Sequence, residues 1–302
     1  MPAWNEINNE IDSLSAADAH DIVRKKYLKL LADKTGRPTI GYYSGFLWKR
    51  DKEGRFHAEC AISDLDMNGF MAVIHGLPKD KGLDLILHTP GGGIEAARGI
   101  VEYLYKIFGK DLQVIVPHMA MSAGTMIACA AQKVFLGKHS CLGPTDPQIR
   151  GYAAMGILAE VDRAMEEMKK DPMKQILWNQ VFAKYPPAFI SDCERSVEGA
   201  RAMVKEWLEK NMLSGQPDPA AAAELVMSKL MDYSGTTEHS HHFLIDKCIE
   251  IGLTVEAIEA DQETQERILS VHHCYMASFA RSNAIKIIDN SDGQTWSVDG
   301  SI

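Results

Sequence analysis

Two short stretches carry residue types whose spacing could do chemistry. The first is HTPGGG, residues 88–93, with three consecutive glycines after an apolar run. The second, about thirty residues on, is MAMSAGTMIA, residues 119–128, in which Ser122 stands among alanine and glycine. Glycines after a strand let the backbone turn tightly and bring unhindered N–H groups close to a bound atom. Two such groups converging on one point suit the oxyanion of a tetrahedral intermediate. A serine with small neighbours lets a carbonyl approach its hydroxyl, and the Ala123 amide at a helix start adds positive potential. Together these are two parts of acyl-transfer machinery, a nucleophile and an oxyanion hole. Each stretch also has a plainer explanation: a glycine triplet can be only a tight turn or a phosphate cradle, and a serine opening a helix can be only its N-cap. No GxxxxGK[ST] is present, which disfavours a P-loop.

The elements that must position these residues follow from hydrophobic periodicity. Leu83–His88 and Leu112–Pro117 are short apolar runs of strand length, and Val134–Leu136 is a third. Between them, Ile94, Ala97, Val101, Leu104 and Phe108 recur every three or four residues, which predicts a helix over 94–108. Ser122–Ala131 is expected to be a small-residue helix. Strands alternating with helices imply a parallel sheet with right-handed crossovers, whose ligands gather at the carboxyl ends of the strands. Both unusual stretches sit at such ends. Upstream, residues 1–35 have helical periodicity, TIGYYSGFLW (39–48) has strand character, and Asp64–Leu77 is expected to be helical. Residues 151–232 are expected to be almost wholly helical, broken at Tyr185-Pro186-Pro187 and Gly215-Gln216-Pro217; a further helix near 261–280 precedes a polar tail.

Composition narrows the class. A formal charge of −9, with Lys and Arg scattered, argues against a nucleic-acid surface. No apolar run approaches the roughly 20 residues needed to span a bilayer, and the polar, acidic MPAWNEINNEID does not read as a signal peptide. The six cysteines form no CxxC pair and read as small buried hydrophobes in a reducing compartment. A cytoplasmic protein is expected.

HTPGGG, MSAGTMIA and the following LGPTDPQ resemble the Clp protease-like superfamily, which includes the Clp proteolytic subunit, signal peptide peptidase A and the crotonases. The resemblance is strongest to the serine dehydrogenase proteinase family, through GRPTIGYYSGF (36–46), GPTDPQ (143–148) and HSHHFLIDKCIEIGL (239–253). It implies an α/β fold with a spiral ββα core and additional helical segments. The expected organisation is an N-terminal helical segment (1–35), a Clp protease-like domain (36–260), and a C-terminal helix and tail (261–302) that would contribute an oligomer contact. It also implies Ser122 as nucleophile, an oxyanion hole from the amides of Gly92, Gly93 and Ala123, and assembly into a homo-oligomer.

A serine hydroxyl needs a neighbour to take its proton. Where the Clp proteolytic subunit has a histidine base after the serine, this chain has Asp146; where the relative has an acid, it has His239, His241 and His242. One solution exchanges the two roles, with His241 as base and Asp146 orienting it; a shift of one or two residues selects His242 or His239 instead. His118 and His88, both ending strands, are further candidates or loop supports. Lys169, Lys170 and Lys174 are the alternative suggested by signal peptide peptidase A, but EEMKKDPMK reads as a solvated face. His272-His273 reads as a partly exposed structural pair. No HExxH accompanies the HSHH run, so no metal and no cofactor is expected. The resulting expectation is an ATP-independent serine peptidase acting on peptides or unfolded protein. The alternatives are an inactive peptide-binding scaffold of the same fold and, more distantly, a crotonase-like acyl-CoA enzyme.

Overall fold

A computed structural model describes residues 4–16, 18–231 and 242–300. The helices α1 (Trp4–Ser13) and α2 (Ala19–Thr35) come first. Gly36, left-handed at φ 70°, ends α2 by donating its amide to Ala32 O at 2.8 Å. Then follow β1 (Thr39–Ser44), α3 (Asp66–Ile74), β2 (Leu83–His88), α4 (Ile94–Phe108), β3 (Leu112–Val116), β4 (Met119–Ala120), α5 (Ala123–Cys129) and β5 (Lys133–Leu136). Next are β6 (Cys141–Leu142), the two-stranded ribbon β7 (Gln148–Ile149) and β8 (Tyr152–Ala153), and four helices: α6 (Ala154–Lys170), α7 (Gln175–Phe182), α8 (Phe189–Lys210) and α9 (Pro219–Leu230). The two expected breaks fall between α7 and α8 and between α8 and α9. The chain closes with β9 (Phe243–Leu244), α10 (Ile245–Glu250), β10 (Val255–Ala257), α11 (Gln262–Arg281), β11 (Ala284–Asn290) and β12 (Thr295–Asp299).

Seven strands form the main sheet in the order β10-β5-β3-β2-β1-β11-β12. The first five are parallel, whereas β11 runs antiparallel to β1 and β12 to β11. Both faces are covered, which is why β2 is an unbroken apolar run apart from Asp84 and His88. Leu85 and Leu87 point toward the layer containing Phe70, Val73, Val101 and Leu104 of α3 and α4. Ile86 points the other way, against Leu28 and Leu31 of α2 and Val271 and Tyr275 of α11. A second, small sheet of order β4-β6-β9 sits beside the carboxyl ends of β2 and β3.

The last segment differs from expectation. Residues 284–299 are no polar tail: β11 is buried along its whole length and adds a strand to β1. The turn to β12 uses Gly293 at φ 92° and Asn290 Oδ1, which accepts the amides of Asp292 and Gln294. Two buried ion pairs fix β11: Asp289 binds Arg24 of α2, and Lys286 binds Asp66 of α3 at 2.6 Å. The six cysteines are free and buried. No described helix is long and apolar enough to cross a membrane.

Candidate active site

Two loops at the carboxyl ends of β2 and β3 are tied together by backbone. Thr89 donates to Met119 O at 3.2 Å, and Met121 donates back to Thr89 O at 3.1 Å, so β4 lies against the residue that opens the glycine loop. Ser122 then turns the chain abruptly from β4 into α5, with φ 50° and ψ −116°. Only three described non-glycine residues have positive φ, and this is the one between a strand and a buried helix. Its hydroxyl makes no capping bond to α5, so the N-cap explanation does not account for it. Space for the turn comes from two glycines. A methyl on Gly91 would lie 2.7 Å from Ser122 Cβ and 3.2 Å from the Ala123 nitrogen; one on Gly124 would lie 2.5 Å from Thr89 Cγ2.

The glycine loop adopts conformations that other residues resist: φ is 94° at Gly91 and 152° at Gly92. Its outer side pairs with Ile62, whose amide donates to Gly91 O at 2.8 Å and whose carbonyl accepts from Gly93 N at 2.8 Å. This corrects one expectation. The Gly93 amide is engaged by Ile62 and cannot also face an oxyanion. Gly92, between the two bonded residues, turns its own amide to the opposite side. Among the described residues, neither the Gly92 nor the Ala123 amide donates to an acceptor. A half-exposed hydroxyl beside two uncommitted amides is the arrangement an attacked carbonyl requires.

Ser122 and Gly91–Gly93 line a cleft of about 1120 Å³, whose other walls include Ile62, Met121, Pro144, Pro147 and His242. His239 and His241 lie outside the described residues. His242 is thus the described member of the histidine run, and it opens onto the same cleft as Ser122, with its side chain exposed. Asp146 is buried, and its Oδ1 accepts the Met155 amide at 3.1 Å in the first turn of α6. It does not line the cleft, although Pro144 and Pro147 on either side of it do. None of the three candidate lysines lines the cleft: Lys169 pairs with Glu166 at 3.0 Å and Lys174 with Glu167 at 3.2 Å. Among the described residues, no group of three His, Cys, Asp or Glu is arranged to hold a metal ion.

The two strand-end histidines belong to a cluster behind the cleft. The rings of His88 and His118 stack at 5.5 Å, and His272 of α11 meets them edge-on at 5.4 and 5.8 Å. His88 is fully buried beside Phe46 and Tyr43. Burial, then the proximity of His118, lowers its pKa to about 3. Burial also lowers His118, with His139 and His242 adding repulsion. His88 is buried outside the cleft lining, whereas His118 is half-buried. His272 and His273 lie half-exposed on α11, as expected, and His272, packed against His88 and His118, is held well below the ordinary imidazole value by its surroundings.

Two further supports are absent from the sequence analysis. Ile62 acts through its backbone only. Thr125 Oγ1 lies 2.9 Å from both the Ala120 and Gly143 carbonyls and accepts the Gly143 amide at 3.0 Å, which locks α5 to the GPTDPQ segment. A threonine three residues after the serine was the available signal.

Residues 62–267 match the model of the ClpP-like SDH-type serine proteinase family, well over half of the chain. The chain belongs to that family. Two relatives, the uncharacterized proteins MJ0137 and MJ1495 of Methanocaldococcus jannaschii, are 34% and 29% identical over 191 and 190 residues. Each match covers 63% of this chain but only 59% and 57% of the relatives' own lengths. Family membership carries the α/β, ClpP-like fold and suggests a serine peptidase. The matched region holds the glycine loop, Ser122 and His242, whereas β11 and β12 lie beyond it.

Proposed function

We propose that this protein is an ATP-independent serine peptidase that takes extended peptides or unfolded segments into the cleft beside Ser122. The observation that carries this reading is the turn at Ser122: a positive-φ serine that caps nothing, in contact with a glycine loop whose Gly92 amide is uncommitted. The Ser122 hydroxyl attacks the scissile carbonyl and transfers its proton to an imidazole. The oxyanion forms between the amides of Gly92 and Ala123, and collapse expels the amine, which takes the proton from the imidazolium. Water then hydrolyses the acyl-enzyme by the same route. The base belongs to the histidine run at 239–242. His241 with Asp146 as its orienting acid is the first assignment, and His242, which lines the cleft, is the second. The cleft volume exceeds that of a typical small-molecule pocket and suits several residues of peptide. Because Ile62 occupies the outer edge of the glycine loop, a peptide would lie along the opposite edge, bonded mainly through its main chain.

The test is covalent labelling by a fluorophosphonate between pH 6 and 9. The wild type is expected to label, Ser122→Ala is not, and either His241→Ala or His242→Ala is expected to lose most of the rate. A wild type that fails to label across this range would favour an inactive peptide-binding scaffold. The engagement of Asp146 by the Met155 amide is the observation that favours that second reading.

A further inference from the structure

The glycine loop does not hold its shape alone. Its outer edge is built on Ile62, and a buried network holds Ile62 from behind. Lys286, on β11 and 1% exposed, donates to Asp66 Oδ1 at 2.6 Å and to the Ala61 carbonyl at 2.7 Å. Asp66, fully buried, accepts at its other oxygen the Tyr42 hydroxyl at 2.8 Å and the Ser63 amide at 2.9 Å. Ala61 and Ser63, the two neighbours of Ile62, therefore turn their polar groups inward to the ion pair. Ile62 turns its own amide and carbonyl outward to Gly91 and Gly93. The chain here is a three-residue strand gripped on both sides, and Ser44 Oγ adds a bond to the Cys60 carbonyl at 2.7 Å. Gly92 packs directly on this strand: a methyl there would meet the Ile62 nitrogen at 2.3 Å.

We infer that Lys286 and Asp66 are positioning residues for the Gly92 amide. The inference rests on the peptidase reading above. Neither side chain lines the cleft. Their effect passes through Ala61, Ile62 and Ser63 to the one loop amide that the site leaves uncommitted. An oxyanion donor stabilises charge only where its hydrogen is aimed, and it is needed more in the transition state than in the substrate complex. Slackening of this support therefore lowers kcat and spares KM. A buried ion pair removed in one half would leave a lone charge, so the informative change is the pair Lys286→Met with Asp66→Asn. The control is Arg24→Met with Asp289→Asn, the second buried pair on β11, which ties β11 to α2 while the Ala61, Ser63 and Asp66 bonds run to Lys286 and Tyr42 instead.

The experiment uses the full chain. An internally quenched peptide is built around the first site at which wild type cleaves β-casein. The aldehyde of that peptide's acyl half serves as the adduct-forming probe, and the matching carboxamide serves as the ground-state probe. For the Lys286/Asp66 pair, kcat is expected to fall about tenfold to a hundredfold with KM within about twofold. Aldehyde affinity should fall in parallel while carboxamide affinity holds. The Arg24/Asp289 control should lose thermal stability yet keep wild-type kcat and the wild-type ratio of the two affinities. A folded Lys286/Asp66 variant with unchanged kcat, or a control whose kcat falls as far, overturns the inference. If the pair does not fold, Tyr42→Phe removes only one bond to Asp66, and a kcat equal to wild type would overturn it equally. A wild type that neither cleaves casein nor labels at Ser122 overturns the peptidase reading itself, whereas an active wild type with indifferent variants overturns only the positioning role.

Discussion

Acid should unfold this protein through the imidazoles behind the cleft, and His88→Phe isolates the effect. His88 titrates near 6.5 in an unfolded chain and at about 3 here. Between those values the unfolded state binds a proton that the folded state does not, so stability rises with pH and is lost as pH falls below about 6.5. The loss from His88 alone amounts to about 2 kcal/mol at pH 5 and approaches 5 kcal/mol near pH 3. The groups acting on His88 do not offset this. It faces the imidazoles of His118 and His272 and the rings of Tyr43 and Phe46, and His118 adds repulsion. His118 and His272 are displaced in the same direction and steepen the slope. Phenylalanine at position 88 would sit among aromatic rings already and carry no proton. The assay is thermal unfolding of wild type and His88→Phe from pH 8 to pH 5. At about 2 °C per kcal/mol for a chain of this size, the wild-type Tm should fall about 4 °C further than that of the variant. The comparison is between slopes, so a constant packing cost of the substitution drops out. Parallel slopes, or a steeper one for His88→Phe, would refute the claim that burial keeps this ring neutral.

Gly92→Ala should destabilise the fold by about 2–3 kcal/mol, since φ is 152° and the new methyl would strike Ile62 at 2.3 Å; kcat should drop at least about a hundredfold, measured alongside Tm. Thr125→Val should cost about 1–3 kcal/mol in urea unfolding, because the Gly143 amide loses its buried acceptor. Leu104→Ala, which empties a fully packed position of α4 against the sheet, should cost about 2–5 kcal/mol while leaving fluorophosphonate labelling at 25 °C intact. Arg24→Met alone, with Asp289 left buried and without its cation, should cost about 3–5 kcal/mol, and adding Asp289→Asn should recover part of the loss.

The β2–α4–β3–α5 unit was legible in the sequence because each piece obeys a local rule. A run of six apolar-dominated residues ended by Pro and Gly has the length of a covered strand, and the three-to-four-residue recurrence from Ala97 to Phe108 marks one face of a helix. The glycine triplet and Ser122 were legible for the same reason, as small residues where the backbone must bend. What was not legible depends on partners distant in the chain. Which of the three glycine amides stays uncommitted is decided by Ile62, about thirty residues earlier, and by a pairing that no local pattern encodes.

The C-terminal hairpin shows the same limit more sharply. AIKIIDN sets a lysine, an aspartate and an asparagine among four apolar residues, and it reads as part of a polar tail with enough apolar content to pack at an interface. In the fold all three are buried because each has a fixed partner: Asp66 for Lys286, Arg24 for Asp289 and the Val73 carbonyl for Asn290. A buried charge is tolerable only with its counter-charge in place, so the position of β11 depends on the partners that α2 and α3 supply. The placement of this strand therefore depends on residues far back in the chain. By the same dependence, a truncation before residue 284 should leave Asp66 without its cation and the Ala61 carbonyl without its donor directly behind the glycine loop, so that losing the hairpin disturbs the cleft as well as the edge of the sheet.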